Sequence, residues 1–532
     1  MRGFKTWVLF FSVLLLAGLW VAPTVLAAEQ PRYGEILRIA LAADPPSLDM
    51  HQETTFAVAQ PMGPVYNNLI VFNPHNYPEV IGDLAQSWTV SDDYLTYTFK
   101  LHQGVKFHDG SELTSADVKA SWDRIVSPPE GVVSPRRSNY QMIKSIEVPD
   151  RSTVVFRLHH PSPPFLTSLA APHGFIYAKR HLDQDPQYYK SHAVGTGPFT
   201  LKTYVRGSHI ELERNPNYWK KGLPYLDGIR YFVIKDTSAR AKALRSDRVD
   251  AELRYLPRAE TDAIQAQLGD KVVVAPARST NNHGVTFNVD KKPFDDERVR
   301  KALTLAIDRY DMAKTLGPIA LLDTVGGMMH PASQWALSAE ELQALPGFGK
   351  DHTANLREAK RLLTEAGYPN GFKTALTNRN IKLPYVDMGV YLISAWKKIG
   401  VEAEHKLEET ATWTKTRLTR DFEIVGDPYG SATVGDPDEM LDKFTTGGQE
   451  NYGRFSDPVL DALYQQQARE MDEQKRIQLV KEMDKRILEK VWRIQGLWYT
   501  RLEVHSAHMR NYEPQPSHHM NRRFEDVWIA QQ

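Results

Sequence analysis

Eighteen histidines are the first candidates for chemistry in this 532-residue chain, because imidazole both ligates metals and moves protons near neutral pH. His102, the pair His108-Asp109, the scatter of His505 and His508, and the adjacent His518-His519 look most like ligands. None forms the i, i+4 pair with a nearby acid that puts two imidazoles on one face of a zinc-binding helix. Spacing alone therefore argues against a dedicated metal site, and no cofactor is expected. Covalent catalysis fares no better. The chain has no cysteine, which removes thiol nucleophiles, thiolate zinc sites, disulfides and a lipid-acylated anchor together. There is no Gly-x-Ser-x-Gly elbow and no Walker-type phosphate loop, and scattered Ser, His and Asp pairs are too common to count. The residue types point away from turnover and toward binding.

The elements that would position a binding site read as α/β. Glu35 to Leu41 is a mostly apolar run suited to a buried strand, and Tyr94 to Leu101 alternates as a half-buried strand does. Val154 to Leu158 and Ile210 to Arg214 extend the strand-rich first half. His108-Asp109-Gly110 marks a turn, and Thr114 with Asp117 three residues on suggests a capped helix start. After Val285 to Val289 the pattern changes. Asp295 or Asp296 caps a helix whose Val299, Ala302, Leu303, Ala306 and Ile307 share one face. Helices follow over 356–366, 386–399, 457–471 and 473–492, with strands near 401–407 and 422–425, and strand-like segments return at 496–499 and 526–529. A chain of this length exceeds the roughly 250–300 residues at which one core stops growing, so two lobes are expected, with a boundary near residue 285.

The amino terminus gives an address. Arg2 and Lys5 precede an apolar run from Trp7 to Leu26, and Val25-Leu26-Ala27 supplies the small residues of a cleavage site before Glu29. This is the pattern of a secretory signal peptide over residues 1–28, cut after Ala27 or Ala28, and it places the mature protein in the periplasm. Lys+Arg and Asp+Glu are both 65, so the net charge is zero and no basic footprint for nucleic acid exists.

Five blocks, in order, then carry a resemblance. They are Pro46-Ser47-Leu48-Asp49 with Val65-Tyr66-Asn67-Asn68-Leu69; Leu84 to Trp88 through Gly104-Val105-Lys106-Phe107-His108-Asp109-Gly110 to Ala116-Asp117-Val118; Gly195-Thr196-Gly197-Pro198-Phe199 with Arg214 to Trp219; Phe287-Asn288-Val289 with Pro293-Phe294-Asp295-Asp296 and Val299 to Ala302; and Gly435-Asp436-Pro437-Asp438. Across nearly the whole mature chain these resemble the family 5 extracytoplasmic solute-binding proteins of ABC transporters, the oligopeptide, dipeptide and nickel group. The resemblance implies a two-lobed, class II, cluster C periplasmic binding fold with a hinge of two crossing strands. Lobe I would span 29–284 with an inserted subdomain near 70–190, lobe II 285–497, and residues 498–532 would return to lobe I.

It also implies where a ligand sits. The acid that grips a peptide ammonium in dipeptide and oligopeptide binders falls here on Thr433, and the aromatic ahead of it on Gly430, beside Tyr429. A hydroxyl alone is a poor partner for a buried ammonium; Asp427 and Asp436 are the acids nearby. Arg379 matches the arginine that holds the carboxylate in dipeptide binders, and its planar fork suits that task. Asn281 matches a pocket position, with His283 close by, and Thr54, Thr55 and Tyr140 are the candidates from lobe I. The expected function is the periplasmic capture component of an ABC importer. It would be monomeric, handing a small polar, peptide-like or carboxylate-bearing solute to a membrane permease. The alternatives are a secreted hydrolase, or a sensory or chaperone role for the same clamp.

Overall fold

Two long strands hold the molecule together. In the computed structural model, which describes residues 29–53, 55–254, 256–430, 436–448, 450–516 and 522–531, Val272–Phe287 runs antiparallel to Arg493–Ser506 over almost its whole length. Both lie inside one sheet of eleven strands. On one side of the pair the order is Ile424–Gly430, Lys373–Arg379 and Glu402–Glu408; on the other it is Ala251–Glu252, Ile36–Leu41, Gly228–Val233, His209–Arg214 and Phe199–Val205. Leu322–Val325 also pairs with Arg493–Ser506, off that path.

The two wings bury separate cores. One gathers Leu37, Ile39, Tyr66, Tyr177, Ile210 and Tyr231. The other gathers Phe287, Val299, Leu303, Trp396, Val401 and Ile424 beneath helices Glu297–Leu305 and Asp387–Lys397. These are the two lobes, and the crossing strands join them. Their pairing is regular from Val272↔Ser506 to Arg278↔Thr500, slips, and resumes at Asn282↔Trp498, so the ladder is interrupted where the chain passes between lobes. A second slip follows His283. Here Gly496 brings its backbone so close that a Cβ would stand 1.9 Å from the His283 carbonyl oxygen, and only glycine permits the approach.

A third core belongs to a four-stranded sheet of Ala85–Val90, Thr96–Leu101, Thr153–Leu158 and Ile143–Asp150, packed on helix Ser115–Val126 through Trp122, Phe99 and Phe156. The expected helix start holds: the Asp117 carboxylate accepts from the Thr114 backbone N–H at 2.8 Å. Gly104 and Gly110 take positive φ at their turns, +73° and +85°. Among the described residues no helix is long and apolar enough to cross a membrane.

Three of the histidines noted for metal chemistry, His102, His108 and His505, are held by this framework. His108 is bonded through Nε2 to the Gly197 carbonyl at 3.0 Å, and burial lowers its pKa to about 4. His102 packs against Trp219 with ring centres 4.8 Å apart. His505 is buried, with Nδ1 at 2.9 Å from the Ser506 carbonyl oxygen. His518 and His519 lie outside the described residues.

Candidate functional site

Three strands of the second lobe, Ile424–Gly430, Lys373–Arg379 and Glu402–Glu408, run parallel, so their carboxyl ends form one edge. Such an edge is where open α/β sheets take ligands, because the loops leaving it converge and the backbone there is unpaired. Arg379 ends its strand at that edge, half-buried. Its guanidinium carbon stands 5.4 Å from the Tyr385 ring centre and 5.8 Å from that of Trp413, and Nη1 donates to the Tyr385 hydroxyl at 3.4 Å. Tyr385 and Trp413 are 8% and 4% exposed and belong to a small core with Phe422, Val425 and Tyr452. Aromatic faces thus hold the cation in place, which lowers the conformational cost of using it.

Behind Arg379 lies a chain of buried charge. Asp427 accepts from Arg417 Nη1 at 3.0 Å, Arg493 Nη1 at 3.3 Å and the Thr286 hydroxyl at 2.9 Å. Arg493, fully buried on the returning strand, also donates to Asn282 Oδ1 at 2.7 Å. Asn282 is the residue at which the crossing strands resume their register, so the Asp427 charge cluster and the crossing strands share one hydrogen-bonded network. His283, one residue on, sits between Tyr385 and Tyr499 with ring centres 5.2 and 6.1 Å away. Burial, then the neighbouring Arg493 charge, lowers its pKa to about 3, so it is a neutral imidazole at physiological pH.

The two acids near the peptide-ammonium position are both committed elsewhere. Asp427 serves the two arginines just described. Asp436 caps helix Pro437–Leu441 and takes a two-pronged, buried ion pair from Arg476 at 2.7 and 2.8 Å. Thr433 and Thr54 lie outside the described residues. Asn281 is half-buried and pairs with Gly430 across the ladder. Thr55 uses its hydroxyl to cap helix Phe56–Met62, accepting from the Ala57 N–H at 3.2 Å. Tyr140 and Tyr429 are each 1% exposed. Tyr140 packs on Trp122 and donates to the Ser168 carbonyl at 2.7 Å. Tyr429 packs on Phe444 under the Arg493 guanidinium and donates to the Met440 carbonyl. Both rings fill cores.

Sequence reasoning did not reach Arg417, Trp413, Tyr385, Tyr452, Asn282 or Arg493. One local signal was available: Trp413 and Arg417 are four apart, the spacing that stacks side chains on one helix face. The remaining partners meet only through long-range pairing.

Comparison with known proteins agrees with this architecture. The description "Bacterial extracellular solute-binding proteins, family 5 Middle" matches residues 79–452. The chain is 29% identical over 450 residues to heme-binding protein A of Haemophilus influenzae, covering 79% of this chain and 78% of that one. It is 34% identical over 293 residues to the glutathione-binding protein GsiB of Salmonella typhi, a match spanning about half of each chain, 55% and 54%. Among solved structures, the Helicobacter pylori ABC transporter-associated periplasmic binding protein DppA, in complex with the peptide STSA, superimposes with a TM-score of 0.78 at 25% identity, covering 94% of this chain and 98% of that one. The two-lobed fold, the paired crossing strands and the matched residues together carry the assignment: the chain belongs to the bacterial extracellular solute-binding proteins of family 5, which are binding proteins and not enzymes.

Proposed function

We propose that this chain is the exported capture component of an ABC importer that grips a small solute by a carboxylate. Residues 1–28 are removed on export, the monomer binds a peptide-like or other carboxylate-bearing solute between its lobes, and the loaded form docks on a membrane permease. The observation that carries the choice of ligand class is Arg379. It stands at the carboxyl edge of a parallel strand, against Tyr385 and Trp413, while Asp427 and Asp436 are both occupied by arginines. An anionic end is therefore better provided for than an ammonium.

Thermal-shift measurements with free-acid dipeptides, their C-terminal amides, glutathione and haem test the reading. A ligand at 100 times its Kd stabilises by about 2.7 kcal/mol. Free acids are expected to stabilise the protein and amides to fail, and Arg379→Ala is expected to abolish the difference. Equal shifts from acid and amide refute the carboxylate assignment.

A further inference from the structure

Thr500 is held from both wings at once. It stands opposite Arg278 in the last regular pair on the first wing's side, just before the pairing of the crossing strands slips. From its other side the Thr500 backbone N–H donates to the Leu321 carbonyl at 2.8 Å, and its hydroxyl donates to Asp323 Oδ1 at 2.8 Å. Asp323 lies on Leu322–Val325, which pairs with Leu497, Trp498 and Tyr499 over the stretch where the other ladder is open. This short strand therefore grips the returning strand on both sides of the interruption.

The gripping segment belongs to the second wing. Helix Arg309–Ala320, which leads into it, buries Met312, Leu316 and Ala320 in the core that holds Phe287 and Trp396. Arg309 Nε donates to the Gln495 carbonyl at 2.9 Å, and beyond the strand the Gly327 carbonyl accepts from Gln495 and Trp498. Between helix and strand, buried Leu321 takes a left-handed φ of 56°, a conformation that leucine adopts only where its surroundings impose it. That turn delivers its carbonyl to Thr500. The same helix lies beside Arg258–Leu268, whose Ile264 packs with Val504 in the first wing. If the wings turn about the interruption, Thr500 travels with Arg278 while Asp323 travels with Gln495, so the 2.8 Å bond between them is stretched. Both residues are half-buried, which partly shields the bond from water without locking it in a core.

We infer that Asp323 and Thr500 form a strap across the crossing strands, one that holds the two wings in this arrangement and must release before they turn. The strap acts on the chain alone, with no solute, and is independent of the carboxylate reading given above.

The chain has no cysteine, so Lys202→Cys and Ser394→Cys, both exposed and one in each wing, supply a single pair of sites for spin labels. Pulsed electron resonance on the labelled, solute-free exported chain reads the distance between the wings. The parent is expected to populate the spacing of this arrangement. Thr500→Val keeps the side-chain shape and removes the hydroxyl. It is expected to lower the ratio of this arrangement to all others by about 3- to 10-fold, the range of one hydrogen bond. Asp323→Ala is expected to act likewise, and Thr500→Ser, which keeps the hydroxyl, to match the parent. A merely structural role would lower the urea midpoint of Thr500→Val and leave the distances in the folded protein unchanged; that result overturns the strap. So does a parent in which this spacing is absent. Because no solute enters the readout, either failure leaves the carboxylate reading standing.

Discussion

Replacing Asp484 by asparagine is expected to stabilise the chain increasingly as pH rises. Asp484 lies on helix Glu473–Lys490, is fully buried, and has as partners the backbone N–H groups of Met328 at 2.9 Å and Met329 at 3.4 Å. Two neutral donors do not compensate the removal of a carboxylate from water. Burial pushes its pKa up to about 7, against a pull from those two N–H groups and with a small push from Glu341. The sign follows from proton counting. Between its ordinary value of 3.8 and about 7 the folded chain holds this proton and the unfolded chain does not, so stability falls as pH rises through that window and levels off above it. At about 1.36 kcal/mol per pH decade the full span is on the order of 4 kcal/mol. Asparagine has no charge to desolvate and keeps one oxygen for Met328. The cost of its leftover NH2 does not depend on pH and cancels in the slope. Urea unfolding of both proteins at about pH 5, 6, 7 and 8 should give a stability difference, variant minus parent, that climbs by about 1 kcal/mol per pH unit up to about pH 7. A flat difference, or one that falls with pH, refutes the account. The perturbation bears on the hinge as well, since the Gly327 carbonyl beside this carboxylate accepts from Gln495 at 2.9 Å and Trp498 at 3.1 Å on the returning strand.

Two further outcomes are expected. Gly496→Ala forces a methyl against the His283 carbonyl, so the crossing strands must part; a loss of about 1–3 kcal/mol is expected in denaturant melts, and an unchanged midpoint would contradict the close approach. His75 is opposed by partial burial but raised on balance by the Asp526 carboxylate at 2.7 Å and by Glu513. A raised folded value means its contribution is full below the unfolded pKa of 6.5 and fades as pH climbs through the folded one. The melting-temperature gap between parent and His75→Gln should accordingly be larger at about pH 6 than at about pH 8.5; a constant gap refutes the ion pairing.

Motif order made the class legible, and periodicity found most elements. The helix expected over 473–492 is Glu473–Lys490, stopped where Val491 takes a left-handed φ of 46°, and the strand expected near 401–407 is Glu402–Glu408. Apolar character marks only residues 496–499 of the returning strand, which runs over fourteen. Its Arg493, Gln495, Arg501 and Glu503 break any apolar alternation, yet all are at most 2% exposed because each has a charged or hydrogen-bonding partner. Hydrophobic periodicity cannot see a buried strand whose inward residues are paired ions. Tyr140 and Tyr429 illustrate the converse: a tyrosine lining a pocket and a tyrosine packed in a core look identical in sequence, and both of these are packed. Asp436 is visible in the sequence as an acid near the ammonium position, but its partner Arg476 is forty residues away, beyond any local signal.

The second wing of the sheet is reached by two strands lying side by side, and such a ribbon is mechanically anisotropic. Sliding one strand past the other would break every rung of the ladder from Val272↔Ser506 to Thr286↔Arg493, so the join is stiff to shear. Bending out of its own plane breaks few rungs, and fewest at the interruption between Arg278 and Asn282, where the ladder is already open. The fold thus leaves the two halves one compliant direction of relative movement, and the buried Arg493 on that ribbon ties its flexure to the charge around Asp427.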